Sequence, residues 1–461
     1  MRSVLLVSYH FPPDAAVGGF RCQKFAKYLP EHGWTPHVLT VREHYHPRQD
    51  PSRLRDVARA HVHRTRMLPS PLTAMLSARN ALLRAAGRSD LLARRLEANA
   101  RMTFDQRDRP GEGLADRLRR FVFSLGRMPD NQVGWVPPAL IASLRLRRRH
   151  SINAVLTSGP PHSAHLVGLY LKRLTRVRWI ADLRDPWVGS PQVPLSLRSG
   201  LSDRVEARME HAVVRAADRV VLLTDRSRDS FRQRYPDQPQ AKFVTITNGF
   251  DAEDFSSLSP VSAEPVFTVV HAGTLYYRRS PRALLTAIAN LVERGTIPKT
   301  DIQLVFAGDI ADGHDVADPT ASGPLAGVVR LTGPLSHAEA LTWMRRADLL
   351  CLFAQGQMDQ IPAKAFEYLA AGAPILAIAG EGATTDLITK AGGGAVSDEP
   401  WAIEEAVHQH YLRYRAGFRP ATVPSPWTRE EVRHFDRHPL AGTLATLLAP
   451  GIDLDSTEPG S

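Results

Sequence analysis

Cysteine is almost absent from this chain: Cys22 and Cys351 are the only two in 461 residues. Two thiols so far apart in sequence suggest neither a disulfide framework nor a zinc site, and a reducing compartment is the simpler expectation. Long apolar runs are missing too. The opening residues, MRSVLLVSYH, hold a run too short for a secretory signal, and no later run approaches the roughly 20 residues of a membrane-spanning helix. The expected location is the cytoplasm, with peripheral attachment at the inner face of the membrane as an alternative. The chain has no G-x-G-x-x-G dinucleotide fingerprint. It has no helix-turn-helix, zinc-finger or RNA-binding signature, so nucleic acid is not an expected partner. Asp-x-Asp occurs only in the tail, as Asp453 and Asp455.

What is present is positive charge and apolar rhythm. The formal charge of +11 favours anionic partners without choosing among phosphates, lipid headgroups and polyanions. VLLVS (4–8) reads as a buried strand, followed by a loop with Pro12, Pro13, Gly18 and Gly19. Cys22, Phe25, Ala26 and Leu29 then recur at helical spacing, Gly33 ends that helix, and HVLTV (37–41) is the next strand. The rhythm returns with strands at 152–158, 177–183 and 218–224, and again with strands at 266–273, 302–308, 328–333, 348–354 and 374–380. Between these series ITNGFDAEDF (246–255) carries an Asn-Gly turn signal and marks a hinge. The fold class is therefore α/β, two Rossmann-like, doubly wound domains facing across a cleft. Residues 1–248 form the first domain, 249–449 the second and 450–461 a loose tail. Residues 45–150 break the rhythm and read as an Arg-rich insertion. Within it Leu114, Leu118, Phe121, Val122 and Leu125 share one helical face while Arg117, Arg119 and Arg120 take others. Such a helix suits either its own domain or an anionic membrane surface. The arginines at 145 and 147–149 read as a solvated face.

Three places could carry chemistry. Gly18 and Gly19, between strand and helix, would let backbone approach a phosphate, or simply make a tight turn. Arg278 and Arg279 repeat that placement in the second domain, where guanidinium groups could hold a diphosphate. In DQIPAKAFEYLAAGAP (359–374), Lys364 and Glu367 share a helix face, with Asp359 just ahead on the loop. A carboxylate there suits a sugar diol, and a helix-start charge pair fits the spacing equally well.

Taken together, the motifs resemble the retaining GT-B glycosyltransferases of the family 4 type. PAKAFEYLAAGAPILAI is similar to that family's glutamate-x7-glutamate region, here D-x7-E from Asp359 to Glu367. The amino-terminal loop and helix (8–40), NQVGWVPPAL (131–140), TSGPPHSAHLVG (157–168), ADLRDPW (181–187) and TNGFD (247–251) follow in the family's order. The resemblance implies sugar transfer from a nucleotide-diphosphate sugar to a glycan or lipid-linked acceptor. No metal and no cofactor is implied, because the nucleotide-sugar is a substrate. Glu367 would bind the ribose hydroxyls, Asp359 would face the donor sugar, and Lys364 would lie near the phosphates. His162 would contact the donor sugar, and Gly18 and Gly19 would cover the diphosphate. Where the family carries an Arg and a Lys this chain has Thr274 and Arg279, so Arg278 or Arg184 would substitute for the missing Arg. Asp182, Arg184 and Asp185 would line the cleft or form a structural ion-pair network. Retention implies same-face attack by the acceptor. The alternatives are a sugar-nucleotide epimerase of the same shape and a non-catalytic sugar-nucleotide or polyanion-binding protein.

Overall fold

The computed structural model describes residues 1–70, 73–74, 77–78, 80–81, 128–188, 200–275, 279–310, 316, 323–396, 399–420 and 426–450. The chain divides into two compact units, Met1–Ile246 with Ala441–Ser461, and Thr247–Leu440. The last helix, Arg437–Leu448, therefore runs back into the first unit. The sequence reading gave residues 441–449 to the second domain. Their role as a returning segment leaves no periodicity signal, because their partners are far away in sequence.

The first unit holds a seven-stranded sheet: β1 (Arg2–Ser8), β2 (Trp34–Val41), β3 (His61–Thr65), β4 (Ile152–Gly159), β5 (Arg178–Leu183), β6 (Arg219–Leu222) and β7 (Phe243–Thr245). The order is β3-β2-β1-β4-β5-β6-β7, and every pairing is parallel. Parallel strands need crossovers, and helices supply them. The ones that matter below are α1 (Phe20–Tyr28), α2 (Val136–His150), α3 (Ser163–Thr175) and α4 (Gly200–Ala216). Leu5, Val7, Leu39 and Val41 pack against Val136 and Ala139 of α2, Val167 and Leu171 of α3, and Val213 and Val214 of α4. Val4 and Leu6, on the opposite face of β1, are equally buried, as expected of a sheet covered on both sides. Packing is close enough to fix residue type. Gly168 of α3 sits against Trp179, whose indole would lie 2.4 Å from any added Cβ.

The Arg-rich stretch is not one insertion. His61–Thr65 is the edge strand β3, paired in register with His37–Val41, and the arginines at 145 and 147–149 belong to α2, whose other face is core. HVHRT carries too little apolar content to announce a strand, which is acceptable at an edge. The amphipathic segment 114–125 and the tail from 451 lie outside the described residues.

The second unit repeats the plan with six parallel strands, β8 (Phe267–Ala272), β9 (Ile302–Ala307), β10 (Val329–Leu331), β11 (Leu349–Phe353), β12 (Ile375–Ile378) and β13 (Gly394–Val396), in the order β10-β9-β8-β11-β12-β13. Helices α5 (Arg282–Glu293), α6 (His337–Arg346), α7 (Lys364–Ala371), α8 (Ala383–Lys390) and α9 (Pro400–Arg415) surround it. One core layer joins Phe267, Val269 and Phe306 to Leu284, Ile288 and Val407. The other joins Val270, Leu350 and Leu352 to Leu341, Met344, Tyr368 and Leu369. No helix among the described residues is long and apolar enough to cross a membrane.

Candidate active site

In both sheets the strand order reverses direction beside the first strand of the unit, between β1 and β4 and between β8 and β11. Doubly wound sheets hold ligands just beyond the carboxyl ends of the strands at such a switch point.

In the second unit β8 ends at Ala272 and the chain turns at Gly273, whose φ of 142° disfavours any residue with a side chain. Its amide donates to the Ala307 carbonyl at 3.0 Å. The loop after β11 leads into α7, and Tyr368 fastens that helix to the strand ends. Its hydroxyl accepts from the Ala272 amide at 2.6 Å and lies 3.4 Å from the Cys351 carbonyl. The helix stops at Gly372 (φ 88°), with Arg345 and Arg429 donating to the carbonyls of Ala371 and Leu369. Fixed in this way, the first turn of α7 presents Lys364 and Glu367, joined Nζ to Oε2 at 2.7 Å. Their side chains keep 26% and 16% of their surface exposed. His337 Nε2, at the start of α6, lies 3.9 Å from Glu367 Oε1 and 3.4 Å from Asp254 Oδ2. Burial alone would raise the Glu367 carboxyl. The charges of Lys364 and His337 and the Lys364 hydrogen bond outweigh it and hold Glu367 below the ordinary carboxylate range.

Asp359 is exposed on the β11–α7 loop. The loop is pinned on either side of it, by Ala383 N to the Met358 carbonyl at 2.7 Å and by Thr384 Oγ1 to the Gln360 carbonyl at 3.0 Å. Arg279 is half-buried, and the next residue, Ser280, accepts from Gln355 of the same loop at 3.0 Å. Arg278 lies outside the described residues. One residue that the sequence reading passed over belongs here. His271 on β8 is buried, its Nδ1 lies 3.0 Å from the Cys351 carbonyl, and its Nε2 has no partner among the described residues. Burial, then the charges of Arg279 and Lys364 against the hydrogen bond to Cys351, bring its pKa down to about 4. The signal was the one ionisable side chain in the mostly apolar run VFTVVHAG.

At the first unit's switch point the charged side chains are internally committed. Arg184 donates through Nε to the Gly159 carbonyl (3.2 Å), through Nη1 to that of Gly18 (2.9 Å) and through Nη2 to that of Pro160 (2.6 Å). It thereby ties the β1 loop to the β4 loop. Gly18 and Gly19 leave room for guanidinium groups, since a Cβ would meet Arg184 at 3.4 Å and Arg53 at 3.1 Å. Asp182 is fully buried and accepts from Arg21 Nε (3.0 Å) and Nη2 (2.9 Å) and from Ser158 Oγ (2.7 Å). It is part of a structural ion pair. Asp185 is half-buried. His162, at the start of α3, stacks on Trp187 with ring centroids 4.7 Å apart and an interplanar angle of 5°. Its Nδ1 is buried without a partner. Burial, reinforced by His165 and Arg184, holds it well below the ordinary histidine value, so the ring is neutral. A further group went unseen in the sequence, because only folding assembles it. Asp14 Oδ2 lies 2.6 Å from His10 Nδ1 and 3.0 Å from His46 Nδ1. Burial would raise the Asp14 carboxyl, but these hydrogen bonds and that of the Ala16 amide dominate and keep it ionised far below its usual range.

Residues 266–411 match the family model described as Glycosyl transferases group 1. That span contains Arg279, Asp359, Lys364 and Glu367. The fold is GT-B. Sucrose-phosphate synthase from Thermosynechococcus elongatus superposes with a TM-score of 0.58 at 16% identity, over 97% of this chain and 98% of that one. WaaG, a glycosyltransferase involved in lipopolysaccharide biosynthesis, gives 0.54 at 13% identity over 97% and 100%. UDP-GlcNAc 2-epimerase from Neisseria meningitidis bound to UDP-GlcNAc gives 0.51 at 12% identity over 97% and 99%. Identities this low carry the GT-B fold and nothing finer. Comparison with curated proteins finds no match.

Proposed function

We propose that this protein is a glycosyltransferase that moves a sugar, a hexose or a close relative, from a nucleotide-diphosphate sugar to a glycan or lipid-linked acceptor. The reading includes retention of anomeric configuration and chemistry that needs no metal. The observation that carries it is the largely buried but still accessible Lys364–Glu367 pair at the second switch point, inside the span that matches the group 1 family model. An ionised Glu367 accepts hydrogen bonds from the two ribose hydroxyls. Lys364 and Arg279 oppose the charge that grows on the departing diphosphate. Such preorganised cations and dipoles are most effective where water is excluded. Asp359 faces the donor sugar, and its shorter side chain requires a closer backbone than glutamate would. In the free protein Lys364 neutralises Glu367. A donor that supplies both a diol and a diphosphate satisfies the two groups separately, which favours that ligand over either half alone.

The test is incubation with a panel of nucleotide-sugars, with products resolved by mass spectrometry. Slow release of nucleoside diphosphate, lost in Glu367→Ala and Asp359→Ala proteins that still fold, supports the transferase. A neighbour of this fold is an epimerase, and a donor inverted at C2 without loss of the nucleotide would instead favour that reading. Tight binding without turnover, even with acceptors present, would favour a binding protein.

A further inference from the structure

We propose that the edge of the first sheet holds a divalent d-block cation, zinc being the best fit, between His37, His63 and His150. His37 lies on β2, His63 on β3, and His150 is the last residue of α2. These side chains offer ligating nitrogens that all lie within 4.8 Å of one another. The fold explains the convergence. His37 shares its strand face with Leu39 and Val41, which pack under α2, and the parallel register sets His37 beside His61 and Leu39 beside His63. The helix that covers this face then brings its C-terminus down onto the same edge.

Geometry and chemistry both suit the ion. Two nitrogens at about 2.0–2.1 Å from a tetrahedral zinc stand roughly 3.3–3.4 Å apart, and His37 Nδ1 and His63 Nε2 are 3.3 Å apart. The remaining separations close by ring rotation, since His63 and His150 are only half-buried. Neutral imidazole is the form that ligates. The carboxyl end of α2 favours a cation, while Arg147, Arg148 and Arg149 oppose it by repulsion. His61 stacks on His37 at a centroid distance of 4.8 Å and lies at hand for the fourth position, which a water fills otherwise. The set is all nitrogen, with His37 and His63 mid-strand in β2 and β3 and His150 at the carboxyl end of α2. Its role is a tie between the edge strand, its neighbour and a helix.

Untagged full-length protein, stripped with a chelator, is titrated with Zn2+ by calorimetry, and with Co2+ by visible absorption. The account expects one equivalent of zinc bound at this edge, a tetrahedral Co2+ band and a rise in Tm. His63→Ala and His150→Ala should each weaken binding by about ten-fold or more and remove the Tm rise, whereas His10→Ala should change nothing. His10 controls for the other group in this unit able to hold an ion, His10 with Asp14 and His46. His63→Gln, with folding checked by circular dichroism, separates lost ligation from lost structure. The proposal is overturned if no zinc binds, if binding survives the His63 and His150 substitutions, or if His10→Ala abolishes it.

Discussion

The two switch points use the same strand order and treat their charges in opposite ways. In the first unit Arg184 is consumed by three backbone carbonyls and Asp182 by Arg21 and Ser158. In the second, among the described residues, Lys364 and Glu367 pair with each other and a distant His337, and remain partly open to water. A charge that is buried and fully bonded maintains structure, whereas one that is partly accessible and singly paired can be exchanged for a ligand. Removing one partner of a buried pair costs about 3–5 kcal/mol because the other charge is left stranded. An exposed pair contributes about 1 kcal/mol or less.

That contrast is most sharply broken by Asp182→Ala. It should destabilise the first unit by about 3–5 kcal/mol, read as a lowered urea midpoint. An unchanged midpoint would mean that the Arg21–Asp182 pair is not the structural element its burial indicates. Next in size is Glu367→Ala, expected to lower turnover by about 100-fold or more through the loss of two charge-assisted hydrogen bonds. Its urea midpoint should fall less than that of Asp182→Ala, because the pair keeps some access to water.

Acid should affect both units alike. Each hides a neutral histidine behind its switch point. Burial, with help from Arg184, sets His165 at about 3 against the ordinary 6.5. His271 sits at about 4. The folded values are depressed, so below pH 6.5 the unfolded chain binds more protons than the native one. Stability is therefore full above that pH and declines as pH falls toward 4 and then 3. Urea midpoints measured across this window should fall steadily, and His165→Phe should flatten the curve. The smallest effect is expected at α6, where Ser336 and Glu339 form a capping box. Ser336→Ala should cost about 1 kcal/mol and leave turnover nearly unchanged.

Much of this architecture is written locally. VLLVS, HVLTV and VFTVVHAG announce buried parallel strands, and Lys364 with Glu367 shares a helix face by spacing alone. The parts that stayed hidden depend on distant partners. β3 is an edge strand of histidines with little apolar content. The segment from Ala441 belongs to a unit whose other residues end at Ile246. Asp14 gains its partners from His10 and His46, and His63 meets His37 and His150, only after the sheet forms. Spacing placed Asp182 and Arg184 near a strand end. It left open whether they serve a ligand or the scaffold; bond partners favour the scaffold for both, and burial adds to that for Asp182.

The central claim is that the second switch point grips a nucleotide-sugar through Glu367. The most direct test is the rate of nucleoside diphosphate release from the best donor, measured for the native protein and for Glu367→Ala at matched folding. The account predicts a loss of about 100-fold or more with a smaller fall in urea midpoint than Asp182→Ala causes. Equal rates in a folded Glu367→Ala protein would contradict it.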